Sequence, residues 1–145
     1  MFFEDLTVGT TFETASKTLS EEEIIDFARQ WDPQPFHIDR EAAAKSNYGG
    51  IIASGFHTIL VAFNLILTAR DWSKSSMGSP GMENIRWIKP VRPGDSLRVR
   101  AEVLGQTASK SKPDRGFADI QYDILNQRDE LVAAYRSAFM VRKRG

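Results

Sequence analysis

Between Tyr48 and Ala69 the chain carries no formal charge. The stretch from Ile51 to Ala69 is long enough to be read as a membrane-spanning helix, so it dominates what the rest of the chain can do. Its composition points elsewhere. Gly49, Gly50, Ser54, Gly55, His57, Thr58, Asn64 and Thr68 make it less apolar than a typical span. A helix that is apolar all round is then expected in a protein core, starting near Ser54 and ending around Asp71. Material to cover it follows directly. After a Ser/Gly/Pro stretch at 73–81, four segments rich in β-branched and aromatic residues read as strands: Met82 to Ile88, Ser96 to Leu104, Gly116 to Leu125 and Leu131 to Val141. Turn signals at 90–94, 110–114 and 126–130 separate them and make the run antiparallel. The expected architecture is an α+β fold, one long buried helix wrapped by a curved antiparallel sheet.

The segments before the long helix are read from local rules. The chain up to Thr18 alternates loosely and carries Gly9, consistent with a short strand reached by a turn. Ser20 and Glu23 form an S-x-x-E capping box, and Ile24, Ile25, Phe27, Ala28 and Trp31 supply the apolar stripe of the helix it starts. Pro33 disfavours helical backbone at Asp32 and ends that helix there. With prolines at 33 and 35, the segment from Asp32 to His37 is expected to be extended and stiff. Asp39 reads as the cap of a short helix from Arg40 to Lys45, broken by Asn47-Tyr48-Gly49-Gly50.

At 145 residues the chain has room for one domain spanning 1–145, large enough to bury a core without staples. The 19 basic and 19 acidic side chains cancel, which leaves no field to attract a phosphate backbone, so nucleic acid is not an expected partner. There is no cysteine; disulfides and thiolate chemistry are excluded, and a metal could use only the two histidines and carboxylates. Met1-Phe2-Phe3-Glu4-Asp5 lacks the cationic start and apolar run of a secretory signal, and a cytoplasmic protein is expected.

Three segments in order carry a family resemblance: Asp32-Pro33-Gln34-Pro35-Phe36-His37-Ile38-Asp39, Gly50-Ile51-Ile52-Ala53-Ser54-Gly55-Phe56-His57, and Arg86-Trp87-Ile88-Lys89-Pro90-Val91-Arg92-Pro93-Gly94-Asp95. Together they resemble the MaoC-like dehydratases, which include the (R)-specific enoyl-CoA hydratases. The resemblance implies a hotdog fold, a homodimer or higher homo-oligomer, and reversible hydration of a trans-2-enoyl-CoA to a 3-hydroxyacyl-CoA. It implies no metal or redox cofactor, coenzyme A being part of the substrate. It also implies that the aspartate and histidine of D-x4-H, here Asp32 and His37, hold the reacting water, and that a backbone amide at the start of the central helix, here that of Gly55, binds the thioester oxygen. Many hydratases of the family have histidine directly before that glycine. Here Ser54 stands there and His57 follows two residues after Gly55, so Ser54 and His57 are candidates for lining the pocket.

The residue chemistry is compatible with this. Water addition to a conjugated thioester needs a base for the water, a proton for the α-carbon and stabilisation of an enolate-like oxygen. A carboxylate with an imidazole suits the first two near neutral pH, and a helix N-terminus with glycine suits the third. Plainer roles exist for each: Asp32 as a turn or capping residue, His37 and His57 as packed histidines, Gly55 as an ordinary helix start, Asp39 as a cap. Two other functions fit the same fold, a hotdog acyl-CoA thioesterase and a non-catalytic acyl-CoA-binding module.

Overall fold

The computed structural model of the protein describes residues 1–145. After a 3-10 turn at Phe3–Asp5 the elements run β1 (Thr11–Glu13), β2 (Lys17–Thr18), α1 (Glu21–Trp31), α2 (Pro35–Ile38), α3 (Arg40–Lys45), α4 (Gly55–Ala69), β3 (Met82–Trp87), β4 (Ser96–Ala108), β5 (Arg115–Leu125) and β6 (Leu131–Arg142). The strands form one antiparallel sheet in the order β1-β4-β5-β6-β3, with β2 also pairing with β4. Inner faces alternate with outer ones as a half-buried sheet requires: Leu97, Val99, Ala101 and Val103 of β4 and Ala118, Ile120, Tyr122 and Ile124 of β5 are buried, their neighbours less so. Helix α4 lies against that face through Ile59, Ala62, Leu65 and Ile66, which join the sheet residues in one apolar cluster. This is the hotdog arrangement, α+β with one long helix held by a wrapping sheet.

Local signals hold well before α4. Ser20 caps α1, its hydroxyl accepting from Glu23 N–H at 3.1 Å while the Glu23 carboxylate accepts from Ser20 N–H at 3.3 Å. Asp39 Oδ1 accepts from the Glu41 and Ala42 amides at 3.0 and 3.1 Å and starts α3. The 92–95 turn closes through Asp95, buried, which accepts from the Arg92 amide at 2.9 Å, with Gly94 at φ +88°.

Three expectations are corrected. The Asp32 to His37 segment is not extended throughout: Pro35 occupies the first position of a helical turn, where its missing N–H has no intrahelical use, and Phe36 and His37 follow it in α2. Trp31, placed on the buried stripe of α1, is 67% exposed, because the helix ends there and only Ile24, Ile25 and Ala28 reach the core. Helix α4, expected to be apolar and buried all round, is not: Phe56, Leu60, Phe63 and Leu67 form an exposed stripe along it, on the side away from the buried Ile59, Ala62 and Ile66. No helix is long and apolar enough to cross a membrane.

Candidate active site

A cleft of about 500 Å³ opens where the Asp32 to Ile38 segment, the start of α4 and the end of β3 meet. Its walls are mostly apolar, including Phe36, Ile52, Ala53, Phe56, Trp87, Ile88 and Val91, and its polar groups are few: Asp32, Gln34, His37, Tyr48, Thr58 and Lys89.

Asp32 and His37 come together in it. Asp32 is the residue that ends α1, and the turn of α2 brings His37 back so that its Nε2 is 3.3 Å from Asp32 Oδ2. The imidazole is buried, and its Nδ1 lies 2.7 Å from the Ile52 carbonyl oxygen. A carbonyl only accepts, so Nδ1 carries the proton and Nε2 is the nitrogen left to gain or give one. Phe36 packs edge-on against the ring at 4.5 Å and fixes its plane. On the carboxylate, the Gln34 side-chain amide donates to Oδ1 at 2.7 Å. Burial pushes the Asp32 carboxyl up, but Ser54, Gln34 and the charge on His37 together outweigh it and hold the group below its usual value, an anion at neutral pH.

Gly55 is the first residue of α4, and Ser54, in the capping position, gives that helix no side-chain cap. The first amides of the helix, which lack intrahelical partners, therefore have no capping side chain, and Gly55 itself lines the cleft. The backbone could not carry a side chain here: a Cβ on Gly55 would run into the Trp87 indole, which packs on this glycine and edge-on against Phe56.

The two residues expected as pocket lining are not in the walls of the cleft. His57 lies behind them, buried and stacked on Phe27 at 4.4 Å with 11° between the planes. Burial lowers its pKa, the nearby Glu23 opposing the shift and Lys17 assisting it, so the ring is neutral. Ser54 is fully buried, its hydroxyl without a hydrogen-bond partner. Sequence reasoning passed over Gln34, whose place between the two prolines was the one signal that its direction is constrained. It also passed over Trp87, which nothing in strand periodicity marks.

The model of the MaoC like domain family matches residues 4–119. The crystal structure of the MaoC-like dehydratase from Rhodospirillum rubrum superposes over 100% of this chain and 99% of that one, with a TM-score of 0.93 and 40% identity. The protein YdeM of Bacillus subtilis, itself uncharacterised, is 32% identical over 129 residues, 89% of this chain and 90% of its own. The 3-hydroxybutyryl-CoA dehydratase of Methylorubrum extorquens is 32% identical over 108 residues, 71% of this chain and 64% of that protein's length. With the family model spanning most of the chain and the fold shared along its whole length, this protein belongs to the MaoC-like domain family.

Proposed function

We propose that the protein is an acyl-CoA hydratase or dehydratase that adds water reversibly to a trans-2-enoyl-CoA to give a 3-hydroxyacyl-CoA. The observation that carries this reading is that an ionised carboxylate, an imidazole with Nε2 free to exchange a proton, and an uncapped helix start converge on one largely apolar cleft. Asp32 and His37 hold one water. Its oxygen adds to the β-carbon, its proton passes to the pair, and the pair returns a proton to the α-carbon, so none is gained or lost overall. The Gly55 amide receives the thioester oxygen as it takes on enolate charge, and the start of α4 adds its positive end. The test is the purified protein on a panel of enoyl-CoA and 3-hydroxyacyl-CoA thioesters. Loss of enoyl absorbance without free thiol is the expected result. Released thiol would make it a thioesterase, and binding without turnover a non-catalytic module.

The exposed stripe of α4 supports a homodimer as the working form. Leu60 is 54% and Phe63 42% exposed, and Met82, Ile85 and Trp87 of β3, whose indole meets Phe56 of the same stripe, stand exposed on a strand that ends the sheet with one side unpaired. Apolar surface beside an open strand edge is a surface that association covers. Light scattering at micromolar concentration is expected to return twice the mass of the chain, and Leu60→Glu to return the single mass. A wild-type protein that scatters as a single chain would remove the dimer from the model.

A further inference from the structure

Trp87 reaches the start of α4 through an irregularity in its strand. Along β3 the pairing runs from Glu83 with Arg136 to Arg86 with Ala134 and Trp87 with Ala133, so β3 carries one residue more than β6 over that span. Asn84, inside this bulge, has left-handed backbone at φ +53°, a conformation in which asparagine is enriched. One extra residue turns every later side chain to the other face of the sheet. Ala133 is fully buried in the core, so its partner Trp87 comes to the face that holds α4. Without the bulge Arg86 would stand opposite Ala133 instead.

At that face the pyrrole ring of the indole lies on Gly55, with Cε2 and Nε1 the atoms nearest to where a Cβ would be. The Gly55 amide nitrogen is bonded to the same Cα that would carry that Cβ. Two N–H donors, one of the side chain and one of the backbone, therefore stand next to each other on the cleft that both residues line. Buried Trp72 donates its indole N–H to the Ile66 carbonyl at 3.1 Å, whereas the Trp87 N–H meets no acceptor in the protein. The amide has neither an intrahelical partner nor a capping side chain. Glycine at the first position of α4 is what lets an indole nitrogen come this close to that amide.

We infer that Trp87 is a second donor to the thioester oxygen: its indole N–H and the Gly55 amide hold that oxygen together as enolate charge builds on it. This rests on the proposed hydratase reading for the reaction, but a carbonyl held by the indole is observable in binding alone. Donors that each lie about 2.7–3.1 Å from one oxygen can stand several ångströms apart, a separation that a ring resting on Gly55 meets. The indole is a donor only and keeps its hydrogen, so the proton traffic stays with Asp32 and His37.

The test removes the N–H and keeps the shape. Trp87 is exchanged site-specifically for benzothienylalanine, which has sulfur where the indole has N–H, and separately in Trp87→Phe. Butyryl-CoA labelled with 13C at its carbonyl, which has no double bond to hydrate, is the binding probe, and its thioester stretch is read by infrared difference spectroscopy. A hydrogen bond weakens the C=O bond, so the wild type is expected to lower the stretch and both variants to lower it less. In hydration of a short enoyl-CoA, kcat is expected to fall about 100-fold, an ordinary loss for one oxyanion donor. KM should change much less, because the oxygen carries its charge only as the water adds. The isostere fills the volume of tryptophan, so its melting temperature and its mass in solution should match the wild type even where Trp87→Phe does not fold. An isostere with the wild-type stretch or the wild-type kcat would overturn the inference. So would losses in the phenylalanine variant alone, which would trace the effect to shape. If the wild type hydrates nothing, the stretch alone decides, and a stretch that moves in the isostere keeps the donor while the hydratase reading falls. If hydration is present and neither readout moves, the reading stands and Trp87 is only a wall of the cleft.

Discussion

Asparagine in place of Asp32, or glutamine in place of His37, is expected to remove most of the hydration activity, and the two together to be hardly worse than the more damaging single change. General acid and base groups contribute typically about 100- to 10,000-fold each, so two independent groups would lose the product of the single factors. The geometry argues against independence. With Nδ1 committed to the Ile52 carbonyl and Nε2 3.3 Å from Asp32 Oδ2, the imidazole has one exchangeable position and it is shared with the carboxylate. Once either partner is gone, a water held by both of them loses both its orientation and the route for its proton, and removing the second partner takes away little that remains. The measurement is hydration of a short enoyl-CoA by the wild type, both singles and the double. Product binding and melting temperature must be followed for each, because His37 is buried and packed on Phe36. Near-normal turnover in either single variant would overturn the assignment. Multiplicative losses would keep two catalytic groups but separate their roles.

Local rules carried far in this chain because they depend on neighbours in sequence. The Ser20 and Glu23 box and the Asp39 cap lie within three residues of the groups they satisfy, so they could be placed without knowing the fold. The four long strands were legible for a similar reason: alternation needs only one chain segment, although β4 continues through Thr107 and Ala108, where it pairs with Phe117 and Gly116 beyond any apolar pattern. What was not legible depends on the second partner. Two prolines predicted stiffness at 33–35, but proline allows either an opened turn or extended backbone, and the turn seen here goes with a hydrogen bond of His37 to Ile52, 15 residues on, that no local rule announces. The sides of α4 could not be told apart, because a helix apolar all round has no period to read. Only the sheet, by covering Ile59, Ala62 and Ile66, separates them from Leu60 and Phe63. The same limit applies to the site. D-x4-H marked Asp32 and His37 as a pair, whereas the places of Ser54 and His57, both polar and both near Gly55, could not be told from sequence: Ser54 is buried ahead of the helix and His57, inside its first turn, stacks on Phe27.

Removing the N–H of Gly55 is expected to lower turnover about 100- to 1,000-fold, the usual loss for one donor to a developing oxyanion. A direct Gly55→Pro exchange cannot show this, since any Cβ at this position meets the Trp87 indole. Displacement of the tryptophan would reshape the cleft it lines, so a loss of activity would have two causes. The clean comparison is made after the space is opened. In a Trp87→Ala background, Gly55→Ala adds the Cβ and keeps the N–H, while Gly55→Pro adds a similar bulk and deletes it. Proline suits the first turn of a helix, and the extended backbone of Ser54 is what a residue before proline requires, so the helix start should survive. The loss should fall on kcat more than on KM, because the enolate oxygen carries its charge only as the water adds. Equal turnover in the two folded variants would dismiss the amide and leave Gly55 as a glycine demanded by Trp87 alone. A further 100-fold fall in the proline variant would assign the backbone of α4 its part in the chemistry.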